Sequence, residues 1–142
     1  RSLDYLISFG ERLSIKIVSY ALSDLGKKST PLIGKEAGIV TDSNFGESRP
    51  LMDTTRLRVL KTVDAMFSKK TIPVVGGFAG ADQHGHITTF GRGGSDYSAT
   101  TIGSCVKADE IIPVGTATIP KPIIKIIKVK TLPPTVIGYT SP

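Results

Sequence analysis

The sequence predicts an α/β sandwich built on a largely parallel sheet. Two observations carry that prediction. Segments with helical spacing of apolar residues alternate with short β-branched runs, in the order helix, strand, strand, helix, strand, hairpin, helix, strand. The run "IPVV" at 72–75 is continuous rather than alternating, as a strand covered on both faces reads, and it stops on Gly76 and Gly77.

The elements follow in order. Residues 11–25 predict an amphipathic helix, because Leu13, Ile17, Ala21, Leu22 and Leu25 recur at spacings of three and four and Gly26 stands where a helix-ending glycine belongs. Ahead of it, "LDYLIS" reads as a strand broken at Gly10. Short strands are expected at 29–33 and 38–41, joined by a Gly-Lys-Glu turn, and 42–46 has the Asp, Ser, Asn and Gly of a loop. Residues 54–68 predict a second helix with Leu57, Leu60, Val63 and Phe67 on its inner face and Lys69 and Lys70 near its negative end. The polar residues 81–90 predict a hairpin turning at His84 and Gly85. A third helix is expected at 95–106, with Cys105 as a small core residue, and a strand at 108–112.

The bulk numbers narrow the classes. A chain of 142 residues with 39% hydrophobic and 21% charged residues suits one soluble globular domain. No apolar run approaches the ~20 residues of a membrane span, and no signal-peptide pattern opens the chain. The single cysteine excludes an internal disulfide framework and suits a reducing, cytoplasmic setting. The formal charge is +6, but the last 30 residues hold four lysines and no acid, so residues 1–112 carry 14 basic side chains against 12 acidic ones. A basic tail without interleaved aromatics is a weak footprint for nucleic acid, so neither nucleic acid nor membrane is expected as a partner. His84 and His86 lack a third ligand, so no metal site is expected in that hairpin.

The chemistry gathers in two places. "GRGGSDYSAT", residues 91–100, puts three glycines ahead of a helix. Such a loop presents free N–H groups and the positive end of the helix dipole, which is how anions are bound; a structural tight turn explains the glycines as well. Ser95 can add a donor or cap the helix, and Arg92 offers a planar fork for carboxylate or phosphate. Asp96 can cap, bind a metal or take a substrate ammonium. In "SFGERLS", residues 8–14, Glu11 either complements the dipole of the helix it opens or anchors a cationic group. Gly76–Gly77 and the Gly91–Gly94 cluster both fall where strands of an open α/β sheet end, the place ligands occupy.

Taken together, "SFGERLS", "GIVTDSNFG", "IPVVGGFAG", "GHITTFGRGGSDYSAT" and "ADEI" resemble, in order and in approximate spacing, the aspartate kinases of the amino-acid kinase family. The resemblance runs from about residue 3 to residue 112. Acetylglutamate, glutamate, carbamate and uridylate kinases share the fold but not "SFGERLS" or "GRGGSDYSAT". The resemblance implies a three-layer sandwich present as a partial domain, with 1–112 as the central part of the catalytic domain and 113–142 as its closing segment. It implies phosphoryl transfer from MgATP to the side-chain carboxylate of L-aspartate, giving 4-phospho-L-aspartate, the entry step to lysine, threonine and methionine. ATP and Mg²⁺ are the cofactors it implies, and a homodimer or higher oligomer the assembly. By the same resemblance Glu11 would hold the α-amino group and Arg92 a substrate carboxylate. Asp96 would stand near the reacting groups with Ser95 beside it, over a floor made by Gly76, Gly77 and Phe78. Gly91, Gly93 and Gly94 would face phosphate. A carboxylate with a pKa near ~4 is already ionised at pH 7, so Asp96 suits orientation better than proton abstraction. Two alternatives stay open: a kinase of this fold for another acid or phosphate acceptor, and a regulatory or assembly subunit without catalysis.

The sequence departs from the family at both ends. The family's Lys-Phe-Gly-Gly opening is absent, and after "ADEI" the chain runs into "IPVGTATIPKP" instead of an Asp-Val-Asp-Gly segment. The 142 residues alone are therefore expected to be inactive. The proline-rich tail resembles the family's closing stretch only with residues skipped, so breaks are expected between residues 112 and 135, with regulatory ACT domains beyond.

Overall fold

The computed structural model describes residues 1–114, 124–128 and 135–137. The breaks expected in the tail fall largely outside those residues. The described elements are α1 (Ser2–Asp24), β1 (Ser29–Leu32), α2 (Gly34–Ala37), β2 (Val40–Thr41), α3 (Met52–Ser68), β3 (Ile72–Val75), β4 (Ala79–Asp82), β5 (Ile87–Thr89), α4 (Gly94–Cys105), β6 (Glu110–Val114), β7 (Ile124–Lys128) and β8 (Thr135–Ile137). The α/β class and the alternation of elements hold.

Two sheets organise the chain. The larger runs β1-β3-β8-β7-β6, in which β1, β3 and β8 are parallel and the β8–β7 and β7–β6 pairs antiparallel. The smaller runs β2-β4-β5 and contains the expected hairpin, with Ala79 opposite Thr89 and Ala81 opposite Ile87. Side chains of β3 are buried on both faces, as its unbroken apolar run requires: Val75 joins a core with Val59, Val63 and Phe67 of α3 and Ile102 and Cys105 of α4, while Val74, pointing the other way, is also fully buried. Helix α1 packs against β1 and β3, and α3 and α4 pack against each other. Helix, sheet and helix make three layers.

Helix α1 differs most from expectation. "LDYLIS" is helical and Gly10 does not interrupt it; a Cβ at Gly10 would meet nothing within 4 Å. The face turned inward is Asp4, Ser8, Glu11, Ile15 and Ser19, whereas Leu13 and Ile17, expected in the core, are 63% and 61% exposed. A largely polar face can be buried only if its atoms find partners. They do: Ser8 Oγ donates to the Tyr5 carbonyl, Ser19 Oγ bonds Ser29 Oγ on β1, and Asp4 reaches across to β5. Leu6, Leu13, Ile17 and Tyr20 are left on the outside.

Smaller differences have local causes. The Gly-Lys-Glu turn is the one-turn helix α2, opened by Glu36, whose carboxylate accepts the Ile33 N–H at 2.9 Å. Helix α3 buries Thr55, Val59, Val63 and Phe67, one residue every turn, which rotates Leu57 to the surface at 73% exposure. Cys105 lies in the core as expected. Among the described residues no helix is long and apolar enough to cross a membrane.

Candidate active site

Parallel strands β1 and β3 end at the same edge of the large sheet, and the chain leaves that edge through Ile33–Gly34 and Gly76–Gly77. Glu11, buried on the inner face of α1, arrives at this edge. A Cβ built on Gly76 would lie 3.6 Å from the Glu11 Cβ and from Ile15, so the glycine backbone runs flat against the acidic side chain. Glu11, Arg12, Gly34, Gly76 and Gly77 line a small slot there. Arg12 also lines an open cleft of about 580 Å³ between α1 and the hairpin, walled by Tyr5, Lys35, Gly85 and His86. Its guanidinium sits 5.0 Å from the Tyr5 ring centre and 5.4 Å from that of Phe9, which stack edge to face.

The second glycine cluster packs onto the first. A Cβ on Gly77 would come within 3.2 Å of Ser95 Cα and Cβ, and one on Gly94 within 2.9 Å of the Phe78 ring and of Phe90 Cβ. Gly94 is thus a glycine because two aromatic residues occupy the space a side chain needs. Gly91 and Gly93 both have left-handed φ, +71° and +77°, and Gly93 is the N-cap of α4 with no side chain capping it. Ser95 and Asp96 therefore do not act as the cap: the N-cap position falls on Gly93, and both stand inside the first turn of the helix. Asp96 is exposed in that first turn, Arg92 stands exposed between Gly91 and Gly93, and Ser95 is half-buried against Gly77.

Two residues that sequence reasoning missed hold this arrangement. Ser98, fully buried one turn into α4, accepts the Phe78 N–H at 2.8 Å and donates to the Gly94 carbonyl at 2.6 Å. It thereby supports Phe78 at φ +68°, a left-handed backbone that costs a side-chain-bearing residue roughly 1–2 kcal/mol. Asp4 accepts from the Gly46 N–H at 2.8 Å, the Thr89 N–H at 2.7 Å and the Thr89 hydroxyl at 3.0 Å, all through Oδ2. The only sequence signal for either was a polar residue at helical spacing from a site residue: Ser98 four after Gly94, Asp4 seven before Glu11.

The hairpin has its own polar centre. Burial pushes the Asp82 carboxyl up, but the backbone N–H and ring of His86 and the hydroxyl of Ser43 hold it down, to about 2. The contacts are His84 N–H at 3.0 Å, His86 N–H at 2.9 Å and His86 Nδ1 at 3.1 Å. The structure thus brings Glu11, Gly76, Gly77, Phe78, Gly94 and Ser95 into one packed wall, with Gly91, Arg92, Gly93 and Asp96 on the turn that rims it.

The model of the amino acid kinase family matches residues 1–114. The chain is 36% identical over 110 residues to an aspartokinase of Bacillus sp. strain MGA3, a match covering 78% of this chain and 26% of that one. It is 41% identical over 109 residues to an aspartokinase of Helicobacter pylori, covering 76% of this chain and 25% of the other. The fold is similar to that of Escherichia coli aspartokinase III in complex with aspartate and ADP, with a TM-score of 0.71 at 24% identity over 75% of this chain and 24% of that one. The chain spans about a quarter of the length of the curated relatives it matches.

Proposed function

This chain belongs to the amino acid kinase family, and on that premise we propose that it forms part of an aspartate kinase that phosphorylates the side-chain carboxylate of L-aspartate with ATP. The observation that carries the reading is the shared wall: Glu11 lies against Gly76, and the turn bearing Arg92 rests through Ser95 and Gly94 on Gly77 and Phe78. One acid and one arginine over a single floor suit a substrate with one ammonium and two carboxylates.

In this reading Glu11 takes the α-amino group and Arg92 a carboxylate. The first turn of α4, led by Gly91, Gly93 and Gly94 and carrying no side-chain cap, faces phosphate oxygens, and the positive end of the helix dipole there suits a phosphoryl group. Mg²⁺ would enter as an ion carried by the nucleotide phosphates, where it would neutralise oxygen charge; among the described residues no group of three acidic, histidine or cysteine side chains could hold a metal. A side-chain carboxylate oxygen attacks the γ-phosphorus as the bond to the ADP oxygen breaks. No proton has to move, because the attacking carboxylate is already ionised. The protein's work is alignment, and Asp96 in the first turn of α4 is an orienting group.

The test is aspartate-dependent ADP formation by the full-length protein, with glutamate, acetylglutamate and UMP as competing acceptors. Arg92→Ala should raise the aspartate KM by roughly tenfold to a hundredfold, the equivalent of a lost charged bidentate contact, and leave the ATP KM within about twofold. Equal losses for both substrates would move Arg92 to the phosphate side. Preference for another acceptor would overturn the aspartate assignment.

A further inference from the structure

Asp4 is buried, carries a carboxylate, and contacts neither the slot nor the glycine floor, yet one of its oxygens gathers three donors from two segments distant in sequence. Both segments lead to the turn that carries Arg92. Thr89 lies three residues before Arg92, and its carbonyl in turn accepts the Ser48 N–H at 2.9 Å and the Ser48 hydroxyl at 3.0 Å. Gly46 lies under the turn: a Cβ on Gly91 would fall 2.9 Å from the Gly46 carbonyl oxygen, so Gly91 rests directly on it. Asp4 also shares its helix, and the helix's buried face, with Glu11 two turns on.

We propose that Asp4 is a positioning residue for aspartate, setting the separation between Glu11 and Arg92 by tying α1 to both supports of the Arg92 turn. The inference rests on the aspartate kinase reading above. One rigid helix holds the group that meets the ammonium directly and, through Oδ2 of Asp4, the base of the turn that presents the arginine. A carboxylate is suited to this because its negative charge strengthens each of the three N–H and O–H bonds that Oδ2 accepts at 2.7–3.0 Å, which binds the helix, the loop at Gly46 and β5 into one unit, and a neutral amide oxygen in its place holds them more weakly. Loss of that join lets the Arg92 turn drift, and a misplacement of about 1 Å at a positioning group can cost on the order of a hundredfold in rate.

The experiment is a double-mutant cycle in the full-length protein with Asp4→Asn and Arg92→Ala, reading the KM values for aspartate and ATP and kcat. Asp4→Asn alone is expected to raise the aspartate KM about tenfold or more with the ATP KM nearly unchanged, and to add little once Arg92 is already alanine, because the arginine it places is gone. A purely structural role would lower stability and active fraction but leave the aspartate KM alone, and would overturn the proposal. So would aspartate effects of the two changes that multiply independently. If Asp4→Asn does not fold, Thr89→Val removes one of the three donors at nearly constant shape, and its cycle with Arg92→Ala decides the question in the same way. Should Arg92→Ala itself leave the aspartate KM unchanged, the reading of the site fails. Should Arg92→Ala act as expected while Asp4→Asn and Thr89→Val act independently of it, only the role of Asp4 fails.

Discussion

Replacing a helical glycine by alanine usually stabilises, and two glycines of this chain test where that rule should break. Gly10 lies in the middle of α1 with no heavy atom within 4 Å of a built Cβ, so Gly10→Ala gains the helix-propensity difference of roughly 0.5–1 kcal/mol and meets nothing. Gly94 opens α4, where the same gain is smaller because the first turn is only half constrained. A Cβ there stands 2.9 Å from Phe90 Cβ and from the Phe78 ring, and 3.3 Å from Phe78 Cα. The ring can rotate away, but Phe90 Cβ and Phe78 Cα move only with their backbones. Overpacking of that kind costs about 1–3 kcal/mol, which outweighs the propensity gain and leaves Gly94→Ala destabilising by about 1–2 kcal/mol. At roughly 3 °C per kcal/mol for a domain of this size, thermal scanning of the full-length protein should show Gly10→Ala shifted up by about 2–3 °C and Gly94→Ala down by about 3–6 °C. The backbone shift falls on Phe78, so Gly94→Ala should also raise the aspartate KM while Gly10→Ala leaves it alone. A rise in melting temperature for Gly94→Ala matching that of Gly10→Ala would refute the close-approach argument.

Two further outcomes follow from the hydrogen bonds. Ser98→Ala removes the acceptor of the part-buried Phe78 N–H and should cost about 1–2 kcal/mol, whereas Ser104→Ala, at an exposed position of the same helix, should be silent in the same melt. Asp82 ionises more readily in the folded than in the unfolded chain, so the unfolded state binds more protons between pH 3.8 and about 2 and stability must rise with pH across that window. Its contribution is full above pH 3.8 and is lost as pH falls through about 2. Acid titration of Asp82→Asn should show a shallower acid limb in that interval, with no difference in slope at neutral pH.

What could be read from the sequence was what neighbours along the chain decide. The β-branched run of β3, its stop at Gly76, the turn at His84 and Gly85, and the glycine-led start of α4 each rest on a few adjacent residues, and each stands where expected. The orientation of α1 was not legible. Its best apolar stripe, through Leu13 and Ile17, lost to a polar one because Asp4 and Ser19 have partners at Thr89, Gly46 and Ser29, and no local pattern announces a partner so far along the chain. Leu57 failed for a related reason: the Thr55 hydroxyl bonds the Val40 backbone on both sides, N–H and carbonyl, and so sets the rotation of α3. In the candidate site the residues with reactive side chains were visible as motif words, whereas the role of Ser98, inside the same word, was not, because its bond spans 20 positions to Phe78.

The span of the Asp4 contact also orders events in time. Gly46 follows Asp4 by 42 positions and Thr89 by 85, so during synthesis this helix is complete before its carboxylate has all three of its donors to meet. At roughly 5–20 residues per second the interval is several seconds, during which burying that carboxylate would cost several kcal/mol and water keeps it outside. Early docking of α1 on the nascent sheet is therefore disfavoured, and its buried carboxylate is fully satisfied only once β5 and the loop at Gly46 are in place. Glu11 shares that helix, so its seat against Gly76 depends on the same distant contacts as the burial of Asp4.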